Sequence, residues 1–84
     1  MELGFSRNAR KFLEDCDNDT YSILTVAVNS LLKNPFPNGF KKIEGRKERV
    51  FRIRIGKYRI LYSLIKDKNL LFISNIDKRS TVYD

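Results

Sequence analysis

The side chains best suited to chemistry in this sequence are three arginines, Arg52, Arg54 and Arg59, which lie close together in the chain. The chain has no histidine and one cysteine, so we predict no metal site and no cofactor. Guanidinium groups keep their charge at all relevant pH values and bind phosphate oxygens through paired N–H donors. The arginines therefore indicate a site for phosphate groups or nucleic acid.

The residues between the arginines predict how they are oriented. Gly56-Lys57, with glycine first, is typical of a two-residue type II′ hairpin turn. Such a turn places Arg54 opposite Arg59, and side chains alternate between the two faces of a sheet. One face would then carry Arg52, Arg54 and Arg59. The other face would carry the apolar and aromatic residues Phe51, Ile53, Ile55, Tyr58, Ile60 and Tyr62.

The predicted pairing of Arg54 with Arg59 is unfavourable by itself, because like charges directly opposite each other on a sheet repel. Among the acids, we expect only Glu44 and Glu48 to be close enough in sequence to serve as partners. We therefore expect few structural partners for these arginines and a functional reason for the pair. The alternative is that acids pair with the arginines, or that the arginines fan apart into water.

Positive charge is concentrated in one segment. Residues 41–59 hold nine of the 17 basic residues and two of the ten acids, so this segment accounts for the whole net charge of +7. A local positive field predicts a polyanionic partner: RNA, DNA or an acidic protein. A solvated, solubilising surface is the alternative. The candidate RNA-binding residues are Lys41, Lys42, Arg46, Lys47, Arg49, Lys57 and Lys78.

The elements that must position these residues follow from hydrophobic periodicity. Residues 3–5 predict a short strand, and Ser6 is a suitable N-cap for a first helix. Cys16 falls on the apolar stripe of that helix, so we expect it in the core. Residues 20–33 predict a second helix, whose stripe consists of Tyr21, Leu24, Val28, Leu31 and Leu32, widened by Ile23 and Ala27. Strands are predicted at 40–44, 49–55, 58–65 and 69–76, with a polar turn at 66–69.

The order β-α-α-β-β-β-β predicts an α+β fold in which two N-terminal helices pack on one face of a mainly antiparallel sheet. The 84 residues predict a single domain over 1–84. No apolar run approaches the ~20 residues that span a membrane. A lone cysteine fits a reducing compartment, so we expect the protein in the cytoplasm.

Three stretches resemble the RelE/ParE superfamily of toxins from toxin–antitoxin systems. They are Asn34-Pro35 with the following Gly39, Lys41-Lys42-Ile43 and Gly45, then Phe51 to Tyr62, and then Asp77 to Tyr83. The resemblance covers nearly the whole chain and implies a RelE-like fold. It also implies a metal-independent endoribonuclease that enters the ribosomal A site and cuts messenger RNA. In that reaction a ribose 2′-hydroxyl attacks the adjacent phosphate, which leaves a 2′,3′-cyclic phosphate and a free 5′-hydroxyl.

The resemblance also implies residue roles and a partner. Arg59 matches the arginine that binds the scissile phosphate, Arg79 the arginine that assists the leaving group, and Tyr83 the tyrosine that activates or orients the nucleophile. Arg52 and Arg54 stand where many relatives carry lysines, and an arginine cannot titrate near neutrality, so neither is expected to act as a base. An acidic RelB-like antitoxin is the expected protein partner.

Two other functions remain open from the sequence. A ParE-like protein would inhibit DNA gyrase without doing chemistry, and a non-catalytic relative would only bind its antitoxin. The arginines of the predicted open face, together with Arg79 and Tyr83, favour the nuclease.

Overall fold

The computed structural model describes residues 1–43 and 49–78 of the chain. The first half contains strand β1 (Glu2–Phe5) and helices α1 (Arg7–Asp15) and α2 (Asn18–Lys33). The second half contains strands β2 (Lys41–Ile43), β3 (Val50–Ile55), β4 (Tyr58–Ile65) and β5 (Leu70–Lys78), with a 3₁₀ turn at Lys66–Lys68. The predicted α+β element order is confirmed.

The five strands form one sheet in the order β1-β5-β4-β3-β2. The β1–β5 pair is parallel and the other pairs are antiparallel, so the sheet is mainly antiparallel as predicted. Leu24 and Leu31 of α2 form the core with Ile60 and Ile73 of the sheet, and each of these is at most 1% exposed. Burial of these side chains holds the helices on one face and leaves the other face without a helix among the described residues.

Both helices begin at a side-chain cap. The Ser6 hydroxyl accepts a hydrogen bond from the Ala9 amide, as predicted, and the Asp17 carboxylate accepts one from the Thr20 amide. Each cap pairs an amide that the first helical turn leaves without a partner. Hydrogen bonding from Thr20 also lowers the pKa of Asp17 below its ordinary value. Neither α1 nor α2 is long and apolar enough to cross a membrane.

Two sequence predictions about the helices are wrong. Cys16 is a partly exposed residue at the C-cap of α1, in extended backbone, because the helix ends at Asp15. The apolar stripe of α2 was predicted too wide, since Tyr21 and Ile23 are 50% and 49% exposed. Its buried apolar part consists of Leu24, Ala27, Val28 and Leu31, so the prediction is confirmed for Ala27, and Leu32 is partly buried against the core.

The pairing of β4 with β5 contains a β-bulge. On the side of the 3₁₀ turn that joins the two strands, Tyr62 lies opposite Ile73. The next residue of β4, Leu61, lies opposite Asn75, so Ser74 is an extra residue in β5. The Ser74 hydroxyl donates to the Leu61 carbonyl at 3.2 Å.

Ser6 connects this bulge to the start of α1. Its hydroxyl donates to the Ser74 carbonyl at 2.8 Å while accepting from Ala9. A one-residue shift in register moves every later side chain to the other face. Beyond the bulge, Ile76 therefore faces the core, and Asp77 lies opposite Arg59.

Candidate functional site

The hairpin of β3 and β4 turns on Gly56-Lys57, as the sequence predicts. Ile55 lies opposite Tyr58 across a two-residue turn, and Gly56 has φ of +59°, a conformation that favours glycine. The same register places Arg54 opposite Arg59. The predicted grouping of Arg52, Arg54 and Arg59 on one sheet face is confirmed.

This grouping, together with one lysine, forms what we call the arginine face: Lys41, Arg52, Arg54 and Arg59. Lys41 belongs to it because it lies opposite Arg52 in the β2–β3 pair. Arg54 and Lys41 are exposed, and Arg52 and Arg59 are partly exposed. Three neighbouring strands thus present four basic side chains on the side of the sheet away from the helices.

Arg59 is held by an acid that the sequence analysis missed. Its Nε lies 3.0 Å from Asp77 Oδ1, and its second terminal nitrogen lies 3.2 Å from Asp77 Oδ2. This is a two-point guanidinium–carboxylate pair, the strongest common form of such contacts. The expectation of few structural partners is therefore wrong for Arg59.

Two asparagines extend this contact towards α1. The Asn75 side-chain amide donates to Asp77 Oδ2 at 3.1 Å, and the Asn8 side-chain amide donates to the Asn75 side-chain oxygen. The Asp77 carboxylate is therefore fixed from two sides, and through it so is the guanidinium of Arg59.

The remaining candidates are distributed around the sheet. Arg49 precedes β3 and Lys57 lies in the hairpin turn, both exposed. Lys42 lies opposite Phe51 and Lys78 opposite Tyr58, which places both lysines on the helix side, away from the arginine face. Arg46, Lys47, Arg79 and Tyr83 lie outside the described residues.

A depression of about 730 Å³ continues the arginine face along the same sheet. Phe72 lies opposite Ser63, and both neighbours of Phe72 in β5 are core residues, so Phe72 points to the arginine side. Arg49, Val50 and Lys66 also line the depression, and so does the acid Asp67. An aromatic ring next to cations is a suitable surface for an unstacked nucleobase.

A larger apolar groove of about 900 Å³ lies between α2 and β3. Strand β2 pairs with β3 only as far as Arg52, so Ile53–Ile55 has no strand on that side among the described residues. Ile23 and Val26 of α2 line the groove, and Val26 is 64% exposed. Lys41, Arg52 and Arg54 also line it, so an apolar surface here adjoins positive charge.

The arrangement can stabilise negative charge on the oxygens of a phosphate group. Fixed cationic donors aimed at developing charge are a major source of catalysis in phosphate chemistry. The arginine face provides such donors, and the depression beside Phe72 provides a surface for a base.

Comparison with known proteins gives matches over nearly the whole chain. Residues 3–83 match the family described as the ParE toxin of type II toxin–antitoxin systems, parDE. The protein of Methanocaldococcus jannaschii designated toxin RelE1 is 30% identical over 76 residues, which is 87% of this chain and 83% of the relative.

Two solved structures illustrate the shared fold. The archaeal RelE–RelB complex from Pyrococcus horikoshii gives a TM-score of 0.79 at 21% identity, over 95% of this chain and 96% of that one. The YoeB/ParE toxin from Agrobacterium tumefaciens gives 0.79 at 15% identity, over 95% and 100%. At these identities the likeness concerns the fold alone.

Proposed function

The chain belongs to the RelE/ParE superfamily of type II toxin–antitoxin toxins, and from this membership we propose that it is a ribosome-dependent endoribonuclease that cleaves messenger RNA in the A site. Cleavage of translated messages would inhibit protein synthesis in the cytoplasm. An acidic RelB-like antitoxin would hold this activity in check.

The observation that carries the proposal is the arginine face. Lys41, Arg52, Arg54 and Arg59 concentrate positive charge on the sheet face away from the helices, and such a concentration favours a polyanionic ligand. Single-stranded RNA is recognised by cationic grooves and by stacking of its bases. The arginine face supplies the first feature, and the depression that contains Phe72 supplies the second.

In the proposed reaction a ribose 2′-hydroxyl loses its proton and attacks the adjacent phosphorus. The bond from phosphorus to the 5′-oxygen breaks, and that oxygen takes up a proton. Arg59 would bind the non-bridging oxygens and stabilise their added charge. As the family resemblance implies, Tyr83 would orient the nucleophile or, as a phenolate, take up its proton, and Arg79 would assist the leaving oxygen. Arginine cannot act as a base here, so positioning by the ribosome would supply much of the rate.

The antitoxin is the second part of the proposal. The Pyrococcus horikoshii relative is a RelE–RelB complex, which makes an antitoxin the expected partner of this chain. The apolar groove that includes Val26 adjoins the basic residues Arg52 and Arg54. An acidic amphipathic segment would match both the apolar groove and its positive border.

Primer extension on messenger RNA after induction of the toxin tests the nuclease directly. Cuts phased to codons, formed by the wild type and absent with Arg59→Ala at equal expression, are the expected result. RNA that stays intact while growth stops would contradict the proposal.

Gyrase inhibition is the second candidate, because the matching family model is that of the ParE toxin. A gyrase inhibitor would cause double-strand breaks in the presence of gyrase and leave messages intact. A purely antitoxin-binding relative would cause no growth arrest at all. Supercoiling assays with purified gyrase, run beside the primer extension, distinguish these outcomes.

A further inference from the structure

Three charged residues lie side by side on the neighbouring strands β3, β4 and β5, on the side of the sheet that carries the arginine face. Arg54 of β3 is opposite Arg59 of β4, and Arg59 is opposite Asp77 of β5. Neighbouring strands are about 4.8 Å apart, so each pair is within direct electrostatic reach. The middle residue therefore has a like charge on one side and an opposite charge on the other.

We propose that Asp77 is a positioning residue for Arg59, which holds its guanidinium on the β5 side so that an RNA phosphate can enter between Arg54 and Arg59. The inference rests on the proposed nuclease function and adds a residue to that site. Asp77 does not touch the reacting atoms in this scheme. It sets the direction of the group that does.

The geometry supports an orienting contact rather than an incidental surface pair. The side chains of Arg59 and Asp77 are 25% and 37% exposed, and the pair has two points of contact. Exposed ion pairs contribute little unless they are bidentate or part of a network. Here Asn75 binds the same carboxylate, so both conditions are met.

The bulge at Ser74 is what makes the contact available. The register near the turn pairs Tyr62 with Ile73, and without the extra residue it would place Ile76 opposite Arg59. The bulge returns Ile76 to the core and gives the acid to the arginine face. Bulges often serve to redirect a side chain beside an active site.

Two opposite consequences follow for the reaction. The carboxylate reduces the positive charge that RNA meets, so it weakens binding. It also fixes the donor that stabilises the phosphorane, so it speeds the chemical step. Loss of Asp77 should therefore strengthen RNA binding and slow cleavage, which is a combination that a general structural defect would not produce.

The test compares Asp77→Asn with Asp15→Asn. The control removes the same charge and also breaks a carboxylate–cation pair, because the exposed side chain of Asp15 contacts Lys11 at 3.4 Å on α1. For Asp77→Asn we expect at least about a tenfold lower single-turnover rate on programmed ribosomes at saturating toxin. Binding to an unstructured RNA oligonucleotide should be tighter, with a log–log salt slope steeper by up to about 0.7. Asp15→Asn should leave the saturating rate unchanged.

Asn75→Ala keeps every charge and removes one hydrogen bond to Asp77. It should lower the saturating rate with RNA affinity unchanged. An NMR signal from the Arg59 Nε–H should exchange slowly with water in the wild type and rapidly in Asp77→Asn, whether or not the protein cleaves RNA. A saturating rate unaffected by Asp77→Asn, or a rate and an affinity that fall together, would overturn the proposal. A wild type that does not cleave but has a protected Arg59 would overturn the nuclease function and leave the pairing intact.

Discussion

The guanidinium of Arg59 has both a structural contact and a proposed chemical role. It is paired with Asp77 in the structure, and we propose that it binds the scissile phosphate. We predict that Arg59→Ala lowers cleavage by about 10²–10³-fold, the usual cost of losing one preorganised charge contact. Arg59→Lys should recover part of the rate, because lysine keeps the charge but lacks the two-point geometry. Single-turnover cleavage measures both.

Arg10→Ala is the matched control for this prediction. It removes an exposed arginine from α1 and so changes net charge equally. Unfolding curves of the variants should show that each remains folded. Full cleavage by a folded Arg59→Ala protein would remove Arg59 from the site.

Tyr83 lies outside the described residues, so its role stays a prediction that kinetics must test. If the phenol moves or orients the 2′-hydroxyl proton, Tyr83→Phe should lower the cleavage rate sharply at nearly unchanged affinity. If the ring stacks on a base, phenylalanine should substitute almost fully, while Tyr83→Ala should weaken binding by about 1–3 kcal/mol. We expect the first result. Tyr21→Phe is the matched control, because it removes the hydroxyl of a half-exposed tyrosine on α2.

At the scale of the elements, the sequence predicted what depends on local pattern. Gly56-Lys57 determined the β3–β4 register because a two-residue turn allows only one pairing. Asp77 could not be found in this way, because its position depends on a bulge within the β4–β5 pair that no turn motif specifies. The sequence holds one local sign of the bulge. Ile73 and Ile76 both face the core although they are three residues apart, whereas side chains on one face of a regular strand recur every two residues.

The Ser6 hydroxyl joins two elements, α1 and β5, so it should matter more than an ordinary cap. It accepts from Ala9 in α1 and donates to the Ser74 carbonyl at the bulge of β5. We predict that Ser6→Ala lowers the free energy of unfolding by about 1–2 kcal/mol, near the upper end for lost N-caps. Urea unfolding measures this change. Ser22→Ala, at an exposed position of α2, is the control and should not lower the free energy of unfolding, because alanine favours helix.

At the scale of the whole molecule, the buried tyrosine Tyr62 predicts how stability depends on pH. Its hydroxyl donates to the Pro35 carbonyl from a fully buried position, and burial raises its pKa from 10.0 to about 12. The neutral phenol therefore stabilises the fold below pH 10. That contribution falls as pH rises from 10 towards 12, because the unfolded chain ionises first.

The measurable form of this prediction is the pH dependence of the difference between wild type and Tyr62→Phe. The advantage of the wild type in free energy of unfolding should be constant up to about pH 9 and smaller by about 1.4 kcal/mol at pH 11. Lysine and arginine titration affects both proteins and cancels in the difference. An advantage that stays constant to pH 11 would show that Tyr62 is not the group responsible.

The exposed side of α2 shows what amphipathic pattern alone cannot give. Tyr21 and Ile23 were assigned to the core because they are apolar and near the stripe, yet both are half exposed. A sequence does not distinguish an apolar residue that packs inside the chain from one that awaits a partner. Only the packing of α2 on the sheet separated the buried Leu24 and Val28 from the exposed Ile23 and Val26, which line the groove.

This difference leads to a prediction about the antitoxin. Val26 is 64% exposed in a groove that Arg52 and Arg54 also line, so an acidic amphipathic segment should bury it. Val26→Glu should weaken antitoxin binding at least about tenfold, because the new carboxylate is desolvated and repels the acidic partner.

Tyr21→Glu places the same charge on α2 outside the groove lining and should change affinity little. Titration calorimetry with the proposed acidic RelB-like antitoxin measures both affinities. RNA cleavage should survive Tyr21→Glu, since α2 lies on the face opposite Arg59 and Tyr21 lies outside the groove lining. Equal affinity losses for the two variants would show that the antitoxin reads charge alone, and would place its apolar contact elsewhere.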